Sequence, residues 1–148
     1  MAGHTDLAGK RPVRLNWRDF PHFTARDFVC PCGCGRAEMD PLFMQRLQRL
    51  RGRLGFALPV SGGFRCPAHD ARSGYGRRGG PHTTGRAAHV AVSGMQAYRL
   101  LALATELEFS GIGIRQRGPV RHIHLDMLAS APGWPRPVLW VRYPDPAG

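Results

Sequence analysis

Pro81-His82-Thr83-Thr84-Gly85-Arg86-Ala87-Ala88-His89-Val90-Ala91-Val92 joins a Gly/Pro-rich loop to an apolar run. It sets two histidines seven residues apart, with a glycine and small residues between them. His89 opens into an apolar, β-branched run, the pattern of a buried strand, whereas His82 lies on the Gly/Pro-rich approach to it. One imidazole on a loop and one at a strand start can converge. The partner stretch is Arg121-His122-Ile123-His124-Leu125-Asp126, in which polar and apolar residues alternate. Side chains repeat every two residues along a strand, so His122, His124 and Asp126 share one face and Ile123, Leu125 and Met127 the other. Two histidines and a carboxylate facing one way on an otherwise apolar strand need polar partners.

Three neutral imidazoles at about 2.0–2.1 Å from a metal, with a fourth position left open, make a catalytic zinc arrangement. His82, His89 and one of His122 or His124 are the candidate ligands. A histidine is more often a surface or hydrogen-bonded core residue, and seven in 148 residues is a modest excess. The alternating strand is what favours a metal here.

These motifs, taken with Val60-Ser61-Gly62-Gly63-Phe64-Arg65-Cys66-Pro67-Ala68-His69-Asp70 upstream, resemble the M15 zinc peptidases. That family comprises D-alanyl-D-alanine carboxypeptidases and phage-type peptidoglycan endopeptidases, and shares its fold with the hedgehog signalling domain. The likeness runs from about Phe23 to about Leu128 and rests on three motifs in order: the Val60–Asp70 stretch, which resembles the family's Ser-Gly-Tyr-Arg-(Ser/Cys)-Pro-x-x-Asn segment, then His-x-x-Gly-x-Ala, and His-x-His-x-Asp. It implies zinc held by His82, His89 and His124, with Arg65 holding a carboxylate of the substrate and His122 beside the metal. His89 stands where the family usually has aspartate. An imidazole is an equally good zinc ligand, but the exchange changes the charge around the metal by one unit. Members of the family place an acidic residue shortly before the last histidine ligand, and Gly118, Pro119, Val120 and Arg121 contain none. Asp126 and His122 are therefore the candidates for proton transfer, and Asp126 could equally orient a ligand imidazole.

The fold expected from this resemblance is α+β, a small and mainly antiparallel sheet flanked by helices, with a zinc-bearing cleft. Residues 1–21 read as an N-terminal arm, with Trp17 and Phe20 packing back on the domain, and 22–148 as a single domain. The chain is long enough for one core and has no apolar run of the 18 or so residues that span a bilayer. Asp40-Pro41 reads as the cap and first turn of a helix with Leu42, Phe43, Leu47, Leu50 and Leu54 inward, ended by Gly55. Ala57–Val60 reads as a short strand, Met95 to Glu108 as a helix with Met95, Tyr98, Leu101 and Leu107 apolar, and Val138–Tyr143 as an edge strand, while Ser110–Ile114 resembles the Gly-(Ile/Val)-Gly strand of the M15 family. Residues 71–80 read as a loop over the cleft, lined by Tyr75, and 132–137 as a proline-broken loop.

Cys30, Cys32 and Cys34, with Cys66 before Pro67, permit either a four-thiolate zinc site or one or two disulfides. Their spacing is not the two-residue gap of zinc knuckles, so both readings stay open, each with a structural role.

The formal charge is +11, and 20 of the 21 basic residues are arginine, Lys10 being the one lysine. A polyanionic cell wall would attract such a surface in a salt-dependent way. Nucleic acid is disfavoured, because the arginines are scattered and no nucleic-acid motif accompanies them. An arginine-rich proteome accounts for the charge as well as any partner does. Met1 to Asn16 lack the apolar segment of a secretory signal, which suggests a chain made in the cytoplasm that reaches the wall as a phage or prophage lysis or tail-associated protein.

The reading that results is a zinc-dependent hydrolase of D-amino-acid-containing bonds in a peptidoglycan stem peptide or crosslink, acting as carboxypeptidase or endopeptidase. A metal-binding wall or structural module with weak or no turnover is the alternative. A nucleic-acid-associated protein built on the arginines and cysteines is a third class.

Overall fold

A computed structural model of the chain describes residues 14–73 and 79–143. Lys10 and Tyr75 lie outside the described residues, as does most of the 1–21 lead-in. Five strands form one sheet in the order β1-β2-β4-β3-β5, where β1 is Val60–Gly62, β2 Ala87–Val90, β3 Gly111–Arg115, β4 His122–Asp126 and β5 Val138–Val141. Four of these strands pair antiparallel, and β5 alone pairs parallel, on β3. The helices are α1 (Ala25–Phe28), α2 (Pro41–Leu54), α3 (Pro67–Asp70) and α4 (Gly94–Glu106). The fold class is α+β, as the sequence suggests.

The strand alternation sorts the two faces of the sheet. Ala88, Val90, Ile112, Ile123 and Leu125 point into the core. There they meet Phe43, Met44, Leu47, Leu50 and Leu54 of α2, and Ala97, Leu100 and Ala104 of α4. His89, His124 and Asp126 are left on the opposite face. The helices thus hold one side of the sheet and leave the other for chemistry.

The caps of α2 are those its sequence asks for. Asp40 Oδ1 accepts the Phe43 N–H at 3.0 Å, Pro41 fills the first turn, and Gly55 ends the helix in the left-handed region with φ 75°. A glycine takes that conformation without a Cβ penalty. Leu42, expected inside, is 61% exposed, and Met44 takes its place in the core.

Of the apolar positions expected in and just after α4, Leu107 is buried and Leu101 packs on the core, but the other two face outward. Met95 and Tyr98 are 70% and 73% exposed, while Ala97, Leu100 and Ala104 are buried. The small alanines let the helix lie close on the core, and the large side chains fall on the outer side. β1 begins only at Val60, because Pro59 has no N–H to give to a sheet. It contributes its carbonyl to Ala91 N–H at 2.7 Å. β2 begins at Ala87, so His89 stands inside the strand rather than at its start.

Before α1, Trp17 stacks on Phe28 with ring centroids 5.6 Å apart, and Phe20 and Phe23 are buried in the same cluster. At Gly63 a Cβ would lie 2.5 Å from the Phe28 Cα. That glycine lets the backbone after β1 pass directly against α1, where the Phe64 N–H donates to the Phe28 carbonyl at 2.9 Å. No helix among the described residues is long and apolar enough to cross a membrane.

Candidate metal centre

Sheet register brings the histidines together. His89 of β2 pairs directly with His124 of β4, and Ala87 with Asp126. His82 arrives from a 3₁₀ turn, Pro81–Thr84, which Gly85 closes with φ 71°. The turn is tied from both sides: the Arg65 N–H donates to the His82 carbonyl at 3.2 Å, and the Gly80 N–H donates to the buried Asp70 carboxylate. His82 and His124 are buried, and His89 is partly so.

His82 Nε2 is 3.2 Å from His89 Nε2, and His89 Nε2 is 3.1 Å from His124 Nδ1. The three nitrogens lie within 4.8 Å of one another. Imidazoles at about 2.0–2.1 Å around a tetrahedral ion would have nitrogens about 3.3 Å apart, close to these separations.

The outward-facing nitrogens fix the tautomers. His82 Nδ1 donates to the Gly63 carbonyl at 2.8 Å, and His124 Nε2 donates to Asp126 Oδ2 at 2.8 Å. His82, kept neutral by burial, is thereby left with a lone pair facing His89 Nε2, and His124 Nδ1 faces the same atom. His89 has at most one proton at that atom and cannot satisfy both neighbours, so a cation is the group that suits the cluster.

Protonation favours the same conclusion. Burial, followed by the nearby charges of His124 and Arg65, pushes His82 down to about 3. His89 is pushed further below the ordinary imidazole range, by burial and then by His82 and His124. Both rings are neutral at physiological pH, the form that ligates a metal. Burial acts to raise Asp126, but the hydrogen bonds from His124 and Arg136 outweigh it and hold the carboxyl at about 2.

Two residues outside the sequence reading complete this centre. Arg136 donates to both oxygens of Asp126, Nε to Oδ1 at 2.9 Å and Nη2 to Oδ2 at 2.8 Å. Trp140 of β5 lies against His124 with ring centroids 5.0 Å apart. Gly113 sits between them in register, opposite His124 on one side and Trp140 on the other. A Cβ at Gly113 would lie 2.6 Å from the Trp140 ring, and one at Gly111 would run into the Asp126 carboxylate. The Gly-Ile-Gly pattern of β3 is what makes room for both groups.

The other candidates occupy the margin. His122 stacks on His89 with centroids 4.2 Å apart and planes 9° from parallel. Its pKa is lowered, first by burial and then by Arg115 and His124. Arg65 is 23% exposed, with Nη1 3.6 Å from Asp70 Oδ1, an oxygen that makes no hydrogen bond among the described residues. Cys30, Cys32, Cys34 and Cys66 form a separate cluster.

A model of the Peptidase M15 family matches residues 21–126, which contain every one of these histidines and cysteines. The chain belongs to the M15 peptidase family. No curated protein matches it. M15 peptidases are typically metal-dependent, and this member offers two groups of residues able to hold an ion, one of histidines and one of cysteines.

Proposed function

We propose that this M15 peptidase is a zinc-dependent peptidoglycan hydrolase that cleaves D-amino-acid-containing peptide bonds, as a carboxypeptidase or an endopeptidase, with His82, His89 and His124 as its metal ligands. What supports the reading is the convergence of three imidazole nitrogens, with the opposite nitrogens of His82 and His124 already engaged by Gly63 and Asp126. Zinc bound there supplies Lewis acidity, polarising a peptide carbonyl and acidifying water.

The chain's own residues do the rest. Asp126 is fully buried, and both its oxygens are taken by His124 and Arg136. We therefore assign it to holding the His124 ring in its ligating tautomer rather than to proton transfer. His122, half-buried, lowered in pKa and stacked on His89, is the better placed of the two to accept and return a proton. Arg65, partly exposed beside the His82 turn, presents a guanidinium to a peptide carboxylate, which it can bind through two hydrogen bonds. The basic surface would hold the enzyme on polyanionic wall polymers.

The alternative of a metal-holding wall module without turnover draws on one observation. Asp70 and Asp126, the carboxylates beside the histidines and Arg65, are both engaged within the protein. Digestion of purified peptidoglycan by zinc-loaded and chelated protein, with the fragments identified by mass, separates the two readings. Loss of a terminal D-alanine or opening of a crosslink only in the presence of metal supports the hydrolase. Binding to the wall with no product from several wall chemotypes supports the module.

A further inference from the structure

The four cysteines stand apart from the histidine centre. Cys30, Cys32 and Cys34 occupy the turn after α1, and Cys66 immediately precedes α3. Their sulfurs all lie within 4.8 Å of one another. Cys30 Sγ is 3.5 Å from Cys32 Sγ, which is 3.7 Å from Cys66 Sγ. A disulfide requires sulfurs about 2.05 Å apart, and all four thiols are free. A tetrahedral thiolate site with zinc–sulfur bonds of about 2.3 Å sets its sulfurs about 3.8 Å apart, near the spacing seen here.

The backbone is arranged for convergence. Cysteines at alternate positions on a strand would point the same way along a line. Here Gly33 and Gly35, with φ 87° and 77°, curl the chain instead. The Cys30 N–H donates to the Arg36 carbonyl at 2.7 Å and closes the loop. The Cys66 N–H donates to Cys30 Sγ at 3.3 Å and ties the two segments together at the sulfurs. Cys30 and Cys66 are buried, whereas Cys32 and Cys34 are exposed and have no apolar reason to gather over them. Thiols are weak hydrogen-bond donors and acceptors, so four of them gain little from one another. A thiophilic cation gives the cluster its reason.

We propose that Cys30, Cys32, Cys34 and Cys66 hold a second zinc ion in a closed structural site that staples the turn after α1 to the start of α3, and thereby fixes Arg65. Four protein ligands leave no open position, which is the mark of a structural rather than a catalytic zinc. Binding exchanges the thiol protons, released to solvent, for one divalent cation. Arg65 directly precedes Cys66, and its N–H holds the His82 carbonyl. The staple therefore acts on the wall of the histidine centre without touching it.

The test uses the full chain, reduced and loaded with zinc, and then with cobalt. Native mass spectrometry and elemental analysis count the ions in the wild type, in the combined His82→Ala, His89→Ala, His124→Ala variant and in the combined Cys32→Ser, Cys34→Ser variant. The histidine variant is expected to keep one ion and to show a thiolate-to-cobalt charge-transfer band. The cysteine variant is expected to lose that ion and the band. The wild-type band and the protection of its thiols from alkylation by zinc are read in the native protein, so they decide the matter even where a variant does not fold. Absence of the band from wild-type cobalt protein, equal alkylation with and without zinc, or a mass showing the cysteines joined as disulfides would overturn the proposal. None of these outcomes depends on whether the histidines bind metal.

Discussion

His124 and Asp126, two residues apart on β4, form a hydrogen bond of 2.8 Å from Nε2 to Oδ2, and it leaves His124 Nδ1 facing His82 and His89. Asp126 is in turn gripped at both oxygens by Arg136. The line Arg136–Asp126–His124 ends at the candidate metal position, so the orientation of one proposed ligand depends on a salt bridge behind it.

Asp126→Asn tests that line. An amide cannot serve as the same acceptor for both the ring N–H and the guanidinium, and loss of such an outer partner costs about 10- to 100-fold in metal affinity. It also leaves Arg136 buried without its counter-charge, a loss of about 3–5 kcal/mol. Zinc titration against a competing chelator and urea denaturation should both register the change; unaltered affinity would contradict the role given to Asp126.

Gly113→Ala should disturb the same centre by steric means. Its Cβ would stand 2.6 Å from the Trp140 ring, so the indole must move off His124. Overpacking of this kind costs about 1–3 kcal/mol. The denaturation midpoint reports the cost, and tryptophan fluorescence reports the displaced ring.

The metal-free protein should weaken on acidification. Folded, His82 takes a proton only near pH 3; unfolded, it does so near 6.5. Between these values the unfolded chain binds more protons, so stability falls as pH drops from about 6.5 towards 3, by up to about 1.4 kcal/mol per pH unit for each such histidine. His89 acts in the same direction, and Asp126 adds a loss between 3.8 and about 2. Urea midpoints of chelated protein at several pH values should show this slope, and His82→Gln should flatten it.

Arg65→Ala should raise KM for peptides with a free carboxylate by about tenfold to a hundredfold, the worth of a charge-assisted hydrogen bond, with zinc content unchanged. Arg65→Lys should recover part of this, since it keeps the charge but loses the two-pronged geometry. An equal effect on a substrate lacking the carboxylate would contradict the assignment.

Much of this was legible in the residues because the signals are local. The alternation of His122-Ile123-His124-Leu125-Asp126 specifies both the strand and its two faces, and Asp40-Pro41 and Gly55 mark the ends of α2. Arg136 and Trp140 escaped notice because nothing near them points to the histidines. They reach the centre only through the parallel pairing of β5 on β3, a register set by distant packing. In α4 the largest apolar residues suggested the buried face, yet the close approach of the helix selects its alanines. The cysteine cluster was visible as composition, but the approach of Cys66 to Cys30 depends on Gly63 passing against Phe28.

The most direct measurement compares zinc-loaded wild type with His124→Ala on purified peptidoglycan, with released fragments identified by mass and bound metal counted in the same samples. The expected result is that wild type frees D-alanine or opens a crosslink, while the variant yields no product although the cysteines still hold an ion. Equal product from both proteins would contradict a hydrolytic centre at His82, His89 and His124.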